Sequence, residues 1–201
     1  MRVLVLLVVL SRVAFAQAPG QMPAAPAPAP DAVPVMADRW AVGLAIGSLG
    51  LTPQTSGAAT TSFGMLELGG RWRVLPAIEI GLSLFGGGSD PNLSASGLFA
   101  DFRYRFRADR PWNVFALAGI GVVSAGDKDG TSDEKAGRGA LRAGVGVERR
   151  FAHLALEAEL RLVAVAKHDG LPMSDIESTS YNLERYGLRG GSLTFGANYY
   201  F

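Results

Sequence analysis

The residues that could do chemistry in this chain of 201 residues are few and poorly grouped. Two carboxylates, Glu157 and Glu159, lie on one face of an alternating segment and could form a general acid and base pair. The two histidines, His153 and His168, are followed by Leu-Ala and Asp-Gly, so neither has a nucleophile two residues away. We therefore predict no enzyme, and arginines on the same face make ion pairing the expected role of the two glutamates.

An acidic stretch is the second candidate. "DKDGTSDE", Asp127–Glu134, has four acids in eight residues and half resembles a calcium-binding loop. It lacks the third early ligand and the distal glutamate of the full EF-hand spacing. We expect a solvated acidic turn and no metal site, with weak Ca²⁺ or Mg²⁺ binding as the alternative.

A third set of charged residues, which includes Glu157 and Glu159, occurs inside segments in which every second residue is apolar. Six are acids and six are arginines, whereas all three lysines fall in the connections between segments. Arginine pairs with carboxylates through a planar fork that suits confined ion pairs. An enclosed, mutually neutralising network is therefore predicted, because an unpaired buried charge is costly; a mixed-charge face in water is the alternative. The predicted network is Glu67, Arg71, Arg73, Glu79, Asp101, Arg103, Arg105, Arg142, Glu148, Glu157, Glu159 and Arg161.

These charges lie in eight period-two segments of about ten residues each, which predict β-strands. The breaks between them alternate in length. Short breaks lie around Pro76, at 108–111 and at 149–152. Short and long breaks in alternation are typical of an antiparallel up-and-down barrel. The long breaks are 51–61, 86–96, 125–138 and 167–187.

The composition limits the class of protein. Only 18% of residues are charged and the mean hydropathy is +0.20, yet beyond the first few residues no apolar run approaches the roughly 20 residues of a spanning helix. The formal charge of +1 and the lack of a basic patch indicate no nucleic-acid partner. Without cysteine there is no disulfide, thiolate metal site or lipoprotein acylation site, and no cofactor is expected.

The N-terminus predicts export. Residues 1–16 have a positive start, the apolar core "VLVLLVVL" and a small-residue cleavage site, as in a secretory signal peptide. Arg12 lies between the core and that site, so the exact cleavage position stays open. Residues 17–37 are rich in Ala-Pro and predict an extended, disordered spacer whose role the residues do not specify. The predicted barrel domain is 38–201.

Two kinds of closed barrel could produce the alternation. A soluble lipocalin-like barrel has its apolar face inside, whereas an outer-membrane barrel presents it to lipid. The arginine and carboxylate pattern and the segment height of roughly 25 Å favour the second kind. Aromatic residues at the short-turn ends also favour it, because such residues collect at membrane interfaces. The predicted aromatic girdle is Trp40, Trp72, Phe106, Trp112, Tyr199 and Phe201.

From Asp38 to Phe201 the pattern resembles the eight-stranded outer-membrane barrels of the OmpA/OmpX type. In that family a terminal phenylalanine with alternating apolar residues upstream is the signal that the outer-membrane assembly machinery reads. The segment "LTFGANYYF" fits this signal at Leu193, Phe195, Tyr199 and Phe201. The resemblance implies an all-β fold of eight antiparallel strands that cross the membrane, apolar outside and charged inside.

The expected function is non-enzymatic. We expect a monomeric integral barrel of a Gram-negative outer membrane whose lumen is plugged by the ion-pair network. Its role would be structural, or would involve surface interactions through the long external loops. The expected partners are outer-membrane lipids, lipopolysaccharide and the assembly machinery. The alternatives are a narrow pore for small solutes or ions, a lipid A-modifying enzyme, and a soluble ligand-carrying barrel.

Overall fold

The computed structural model describes residues 38–89, 92–127, 137–167, 183 and 186–201. The predicted signal peptide (1–16) and spacer (17–37) lie outside the described residues. So do His168 and all of the acidic stretch except Asp127. Within the described ranges, no helix is long and apolar enough to cross a membrane.

Eight strands form one closed sheet, which confirms the predicted antiparallel up-and-down barrel. Each strand pairs with its neighbours in sequence, and the last pairs with the first to close the barrel. The strands are β1 (Trp40–Pro53), β2 (Thr61–Leu75), β3 (Ile78–Ser89), β4 (Leu93–Arg105), β5 (Trp112–Asp127), β6 (Arg138–Arg150), β7 (Leu154–Val165) and β8 (Leu188–Tyr200).

The alternation in the sequence sets the two faces of the sheet. Side chains point to opposite faces at successive strand positions. In β7, Leu160 is 59% exposed while its neighbours Glu159 and Arg161 are 1% and 4% exposed. The same alternation runs through all eight strands, so the large exposed apolar side chains cover the outer face.

The strands are longer than expected, with 12 to 16 residues. The prediction of a long connection at 86–96 is therefore wrong. Gly86 pairs with Ser96 and Gly88 with Ser94, so β3 and β4 both extend into this stretch. Glycine and serine do not contribute to a pattern of alternating apolar residues, but their backbones form the hydrogen bonds between strands as other residues do. In contrast, β1 ends at Pro53 and β2 begins at Thr61, and β7 ends at Val165 and β8 begins at Leu188.

The predicted charged interior lies in the part of the barrel near the short turns and does not extend along its whole length. Near the long connections the inner face holds a buried apolar cluster, here called the loop-end core. Phe85 and Phe99 stack there, with ring centroids 6.2 Å apart. The loop-end core consists of Leu49, Leu51, Phe63, Met65, Phe85, Ala95, Phe99, Val123, Ala125, Ala140, Val163, Val165, Leu183 and Leu188.

The outer face changes character at the same end. In β1 the outward positions Val42, Leu44 and Ile46 are followed by Ser48 and Gly50. Outward serine and glycine also occur at this end of β2, β3 and β4. The barrel is thus apolar outside and charged inside near the short turns, but polar outside and apolar inside near the long connections. The second arrangement is that of a water-soluble barrel.

Two inward-facing glycines leave room for polar side chains of the adjacent strand. A Cβ on Gly119 would lie 2.1 Å from Asp101 Oδ1, and one on Gly43 would lie 2.0 Å from Asn198 Oδ1. Because such distances are too short for non-bonded atoms, both positions require glycine while these side chains stay inside.

Candidate functional site

The inner face near the short turns contains the side chains of the predicted network. The strands position them by alternation alone, since every predicted member has inward parity. Ten of the twelve are buried, and the side chains of Arg71 and Asp101 are each 16% exposed. The network has three groups, which follow one another from the short turns towards the loop-end core.

The turn-end group surrounds Tyr200. Arg105 Nη2 donates hydrogen bonds to Tyr200 Oη at 2.6 Å and to Glu148 Oε2 at 3.3 Å. The Tyr200 hydroxyl donates to Glu79 Oε1 at 3.2 Å, and Arg105 pairs with the same glutamate. Arg73 and Arg150 also approach these two glutamates. The guanidinium carbons of Arg73, Arg105 and Arg150 lie 4.8, 5.8 and 5.5 Å from the Tyr200 ring centroid, so the ring adds cation–π contacts.

The central group joins β2 and β4 to β7. Arg71 donates two hydrogen bonds to Glu157, at 2.8 and 2.6 Å, in a bidentate pair. Arg103 donates to Glu157 Oε2 at 2.7 Å, also pairs with Glu159, and lies 3.8 Å from the Phe115 ring centroid. Two arginines thus share two glutamates, which is the ion pairing expected for Glu157 and Glu159.

The upper group is centred on Arg142. Its Nε donates to Asp101 Oδ1 at 2.6 Å, its Nη2 to Ser83 Oγ at 2.6 Å and its Nη1 to Glu67 Oε1 at 3.3 Å. Arg161 pairs with Glu67 and donates to Glu159 Oε2 at 2.6 Å, which links this group to the central one.

These contacts connect distant walls of the barrel. Arg71 and Glu157 are 86 positions apart in sequence, and Arg105 and Glu148 are 43 apart. Because each pair needs two strands in fixed register, the network holds the cross-section of the barrel together. The pairs are desolvated, so their loss is expected to be costly.

The space left inside is small. A cavity of about 40 Å³ lies within the network, and Asn198 lines it. The buried Asn198 Nδ2 has no hydrogen-bond partner in the described part of the chain. The cavity is large enough for a water molecule to reach that amide. A second cavity, in the loop-end core, measures about 10 Å³ and is lined by Phe85 and Phe99.

Two members of the turn-end group, Arg150 and Tyr200, are not in the network predicted from the sequence. Arg150 was placed in a short turn, but it ends β6 and has the inward parity of Arg142 and Glu148. Tyr200 is 0% exposed, whereas its neighbour Tyr199 is 53% exposed. Extending the alternation of each segment by one or two residues would have found both.

The predicted aromatic girdle lies on the outer face at the short-turn end. The six side chains are between 40% and 60% exposed. Trp40 and Trp72 are register partners and their rings stack at 5.8 Å. Exposed Arg149 adds cation–π contacts, with its guanidinium carbon 5.2 Å from the ring centroids of Trp112 and Phe151.

The predicted assembly signal also faces outward. Leu193, Phe195 and Tyr199 are 44%, 56% and 53% exposed, and Phe201 follows β8. Both edges of β8 are paired, one with β7 and one with β1. Another protein could therefore pair with a β8 edge only before the barrel closes.

The remaining candidates for chemistry are not brought together. His153 lies in the turn between β6 and β7, where Nδ1 is 2.7 Å from Asp38 Oδ2 and the side chain is 58% exposed. Over the residues that the structure describes, no group of three His, Cys, Asp or Glu side chains could hold a metal ion.

Comparison with solved structures identifies the fold. The chain is similar to Neisserial surface protein A, with a TM-score of 0.64, 13% identity and coverage of 81% of this chain and 97% of that one. OprG from Pseudomonas aeruginosa gives a TM-score of 0.49 at 11% identity, covering 82% and 97%. Ail from Yersinia pestis gives 0.46 at 13% identity, covering 81% and 99%. No protein-family model and no curated protein sequence matches the chain. The similarity to Neisserial surface protein A confirms the predicted resemblance to the OmpA/OmpX-type barrels at the level of the fold.

The upper group yields a stability prediction. Replacing Arg142 by methionine leaves Asp101, whose side chain is only 16% exposed, without its ion-pair partner, so the free energy of unfolding should fall by about 3 kcal/mol. The Asp101→Asn/Arg142→Met double variant should recover part of this loss, because the unpaired charge is gone. Denaturant titration of the refolded protein, followed by tryptophan fluorescence, measures both.

Arg149→Met is the matched control, since Arg149 is an exposed arginine on the same strand. Its effect should stay below about 1 kcal/mol. Equal losses for Arg142→Met and Arg149→Met would contradict a structural role for the network.

Proposed function

We propose that the chain is a non-enzymatic integral barrel of the bacterial outer membrane. The observation that carries this proposal is the inverted polarity of the barrel near the short turns. Large apolar side chains such as Leu82 and Leu160, 60% and 59% exposed, cover the outside, while arginines and carboxylates are buried inside. In water this arrangement would expose a broad apolar band, whereas in lipid it satisfies both faces.

The girdle and the turns support an orientation. The aromatic side chains mark one membrane interface at the end where both Trp40 and Phe201 lie. We place that end, with the short turns, in the periplasm, and the long connections outside the cell. The N-terminal signal peptide and the spacer fit export to this location. The external connections would then give the protein a structural or surface-interaction role in the envelope.

The residues do not support catalysis. Glu157 and Glu159 are held by arginines, and His153 is an exposed turn residue paired with Asp38. A lipid A-modifying enzyme, the remaining enzymatic alternative, needs a nucleophile beside a base, and neither histidine has one at the required spacing.

Two layers support a plugged lumen. The ion-pair network fills the half near the short turns, and the loop-end core fills the other half. Eight strands leave an interior that side chains can just fill. A narrow pore is the second candidate, favoured by the 40 Å³ cavity between the charged groups.

Location and orientation can be tested together. The protein should sediment with the outer-membrane fraction, and trypsin added to intact cells should cleave at Lys128 or Lys135 in a long connection. Arg107, in the short turn after β4 and followed by Ala108, is the internal control and should be cut only after the outer membrane is permeabilised. Cleavage at Arg107 in intact cells, or recovery in the soluble fraction, would overturn the proposal.

Conductance separates the plug from the pore. The refolded protein in a planar bilayer should show no steady open level, because both layers obstruct the lumen. Replacing Phe85 and Phe99 by alanine should raise conductance more than replacing their outward-facing neighbours Leu84 and Leu98. A steady open level in the unaltered protein would favour the pore.

The C-terminal strand should direct assembly. We expect Phe201→Ala to reduce the amount of folded barrel in cells, measured by heat-modifiable mobility in gels, while purified protein still refolds in detergent. Phe106→Ala is the matched control, because Phe106 is equally exposed at the same end. If both variants assemble equally well, Phe201 is not part of an assembly signal.

A further inference from the structure

A groove crosses the outer face of the barrel from the middle of β4 to the loop end of β8. Its volume is about 870 Å³, within the range of about 300–1,000 Å³ found for small-molecule sites. Most residues that line it face outward, and Asp101 and Arg142 of the ion-pair network also border it.

The groove is formed by a change in side-chain size. Ala100, Ala118, Ala143 and Ala164 point outward and form its floor. The register places Ala118 beside both Phe102 and Ala143. Large apolar side chains stand above the floor as walls, so the groove can enclose a flexible apolar chain on several sides. The walls include Phe102, Ile120, Leu141 and Leu162.

Arg189 lies at the loop end of the groove. It is the register partner of Ala164, points outward and is exposed. On the described strands, Arg149 and Arg189 are the two outward-facing charged residues, and Arg149 lies at the opposite end. Arg189 makes no ion pair or hydrogen bond with any part of the described chain.

The level of Arg189 matters. Its register partner on the other side is Thr52, beyond the point where the outer face of β1 changes from apolar residues to serine and glycine. An apolar groove thus leads to a guanidinium that has no partner among the described residues, at the boundary between lipid and water. A guanidinium at that level is suited to a phosphate, which it binds through charge-assisted hydrogen bonds.

We propose that this groove binds the lipid A part of lipopolysaccharide. Acyl chains lie along the alanine floor, and a phosphate of the headgroup accepts hydrogen bonds from Arg189. The choice of lipid rests on the proposed orientation, which puts Arg189 in the outer leaflet. A second copy of the chain fits less well, because no outward-facing carboxylate on the described strands could pair with Arg189.

Binding can be measured on the full barrel refolded in detergent, by native mass spectrometry with purified lipid A. Arg189→Gln should weaken binding about tenfold, as expected for loss of one charge-assisted hydrogen bond. Arg149→Gln is the matched control and should leave affinity within about twofold. Phosphatidylcholine, which has acyl chains but a zwitterionic headgroup, should bind more weakly than lipid A.

A second pair of variants tests the groove itself. Ala118→Leu should fill the floor and lower lipid A affinity, whereas Ala158→Leu, outward on β7 but outside the groove, should not. The proposal is overturned if Arg189→Gln and Ala118→Leu bind lipid A like the unaltered protein. It is also overturned if phosphatidylcholine binds equally well, or if the protein forms dimers that Ala118→Leu dissociates.

The detergent assay does not depend on where the protein resides in the cell. Failure of lipid A binding with correct surface cleavage would remove this inference and leave the proposed function. Recovery in the soluble fraction would remove the proposed function whatever the lipid result.

Discussion

The charges inside the barrel must neutralise one another, and the rest of the structure depends on this constraint. The charged side chains point into the barrel, where they are buried and little water can solvate them. They are therefore stabilised by ion pairs, many of them with partners on other strands. Arg103 of β4 needs Glu157 and Glu159 of β7, and Arg142 of β6 needs Asp101 of β4. Such contacts exist only in one register of a closed sheet. Neutralisation and closure therefore favour the same arrangement of the eight strands.

The sequence predicted which side chains point into the barrel, but not which arginine pairs with which carboxylate. Alternation indicated eight strands, and the charges marked the inward parity, because a strand leaves a side chain only two directions. Which arginine meets which glutamate depends on the stagger of the closed sheet, which no local pattern encodes. Arg71 and Glu157 could not have been matched from their positions in the sequence, although each was placed inside.

The loop-end core was missed for a related reason. In β1 the apolar residues lie at even positions up to Ile46 and at odd positions from Leu49. The outward face of this strand therefore changes from apolar to polar along its length, and the inward face becomes apolar. Treating each segment as having one parity conceals this change. The continuous strands made of glycine and serine in β3 and β4 were missed because they carry no hydrophobic signal. Both errors concern the same end of the molecule, where the outer surface resembles that of a water-soluble protein.

The change of parity also sets how the barrel fits a bilayer. On β1 the outward apolar stretch runs from Trp40 to Ile46, a rise of roughly 18 Å at about 3.3 Å per residue and a tilt near 40°. On β5 it runs from Trp112 to Val122, a rise of roughly 28 Å by the same reckoning. The apolar band on the outer face is therefore shorter beside β1 than beside β5. Its mismatch with the thickness of a bilayer would vary around the barrel. In the proposed outer-membrane location, the membrane would thin beside β1, or the barrel axis would lean away from the bilayer normal, and each adjustment has a modest cost.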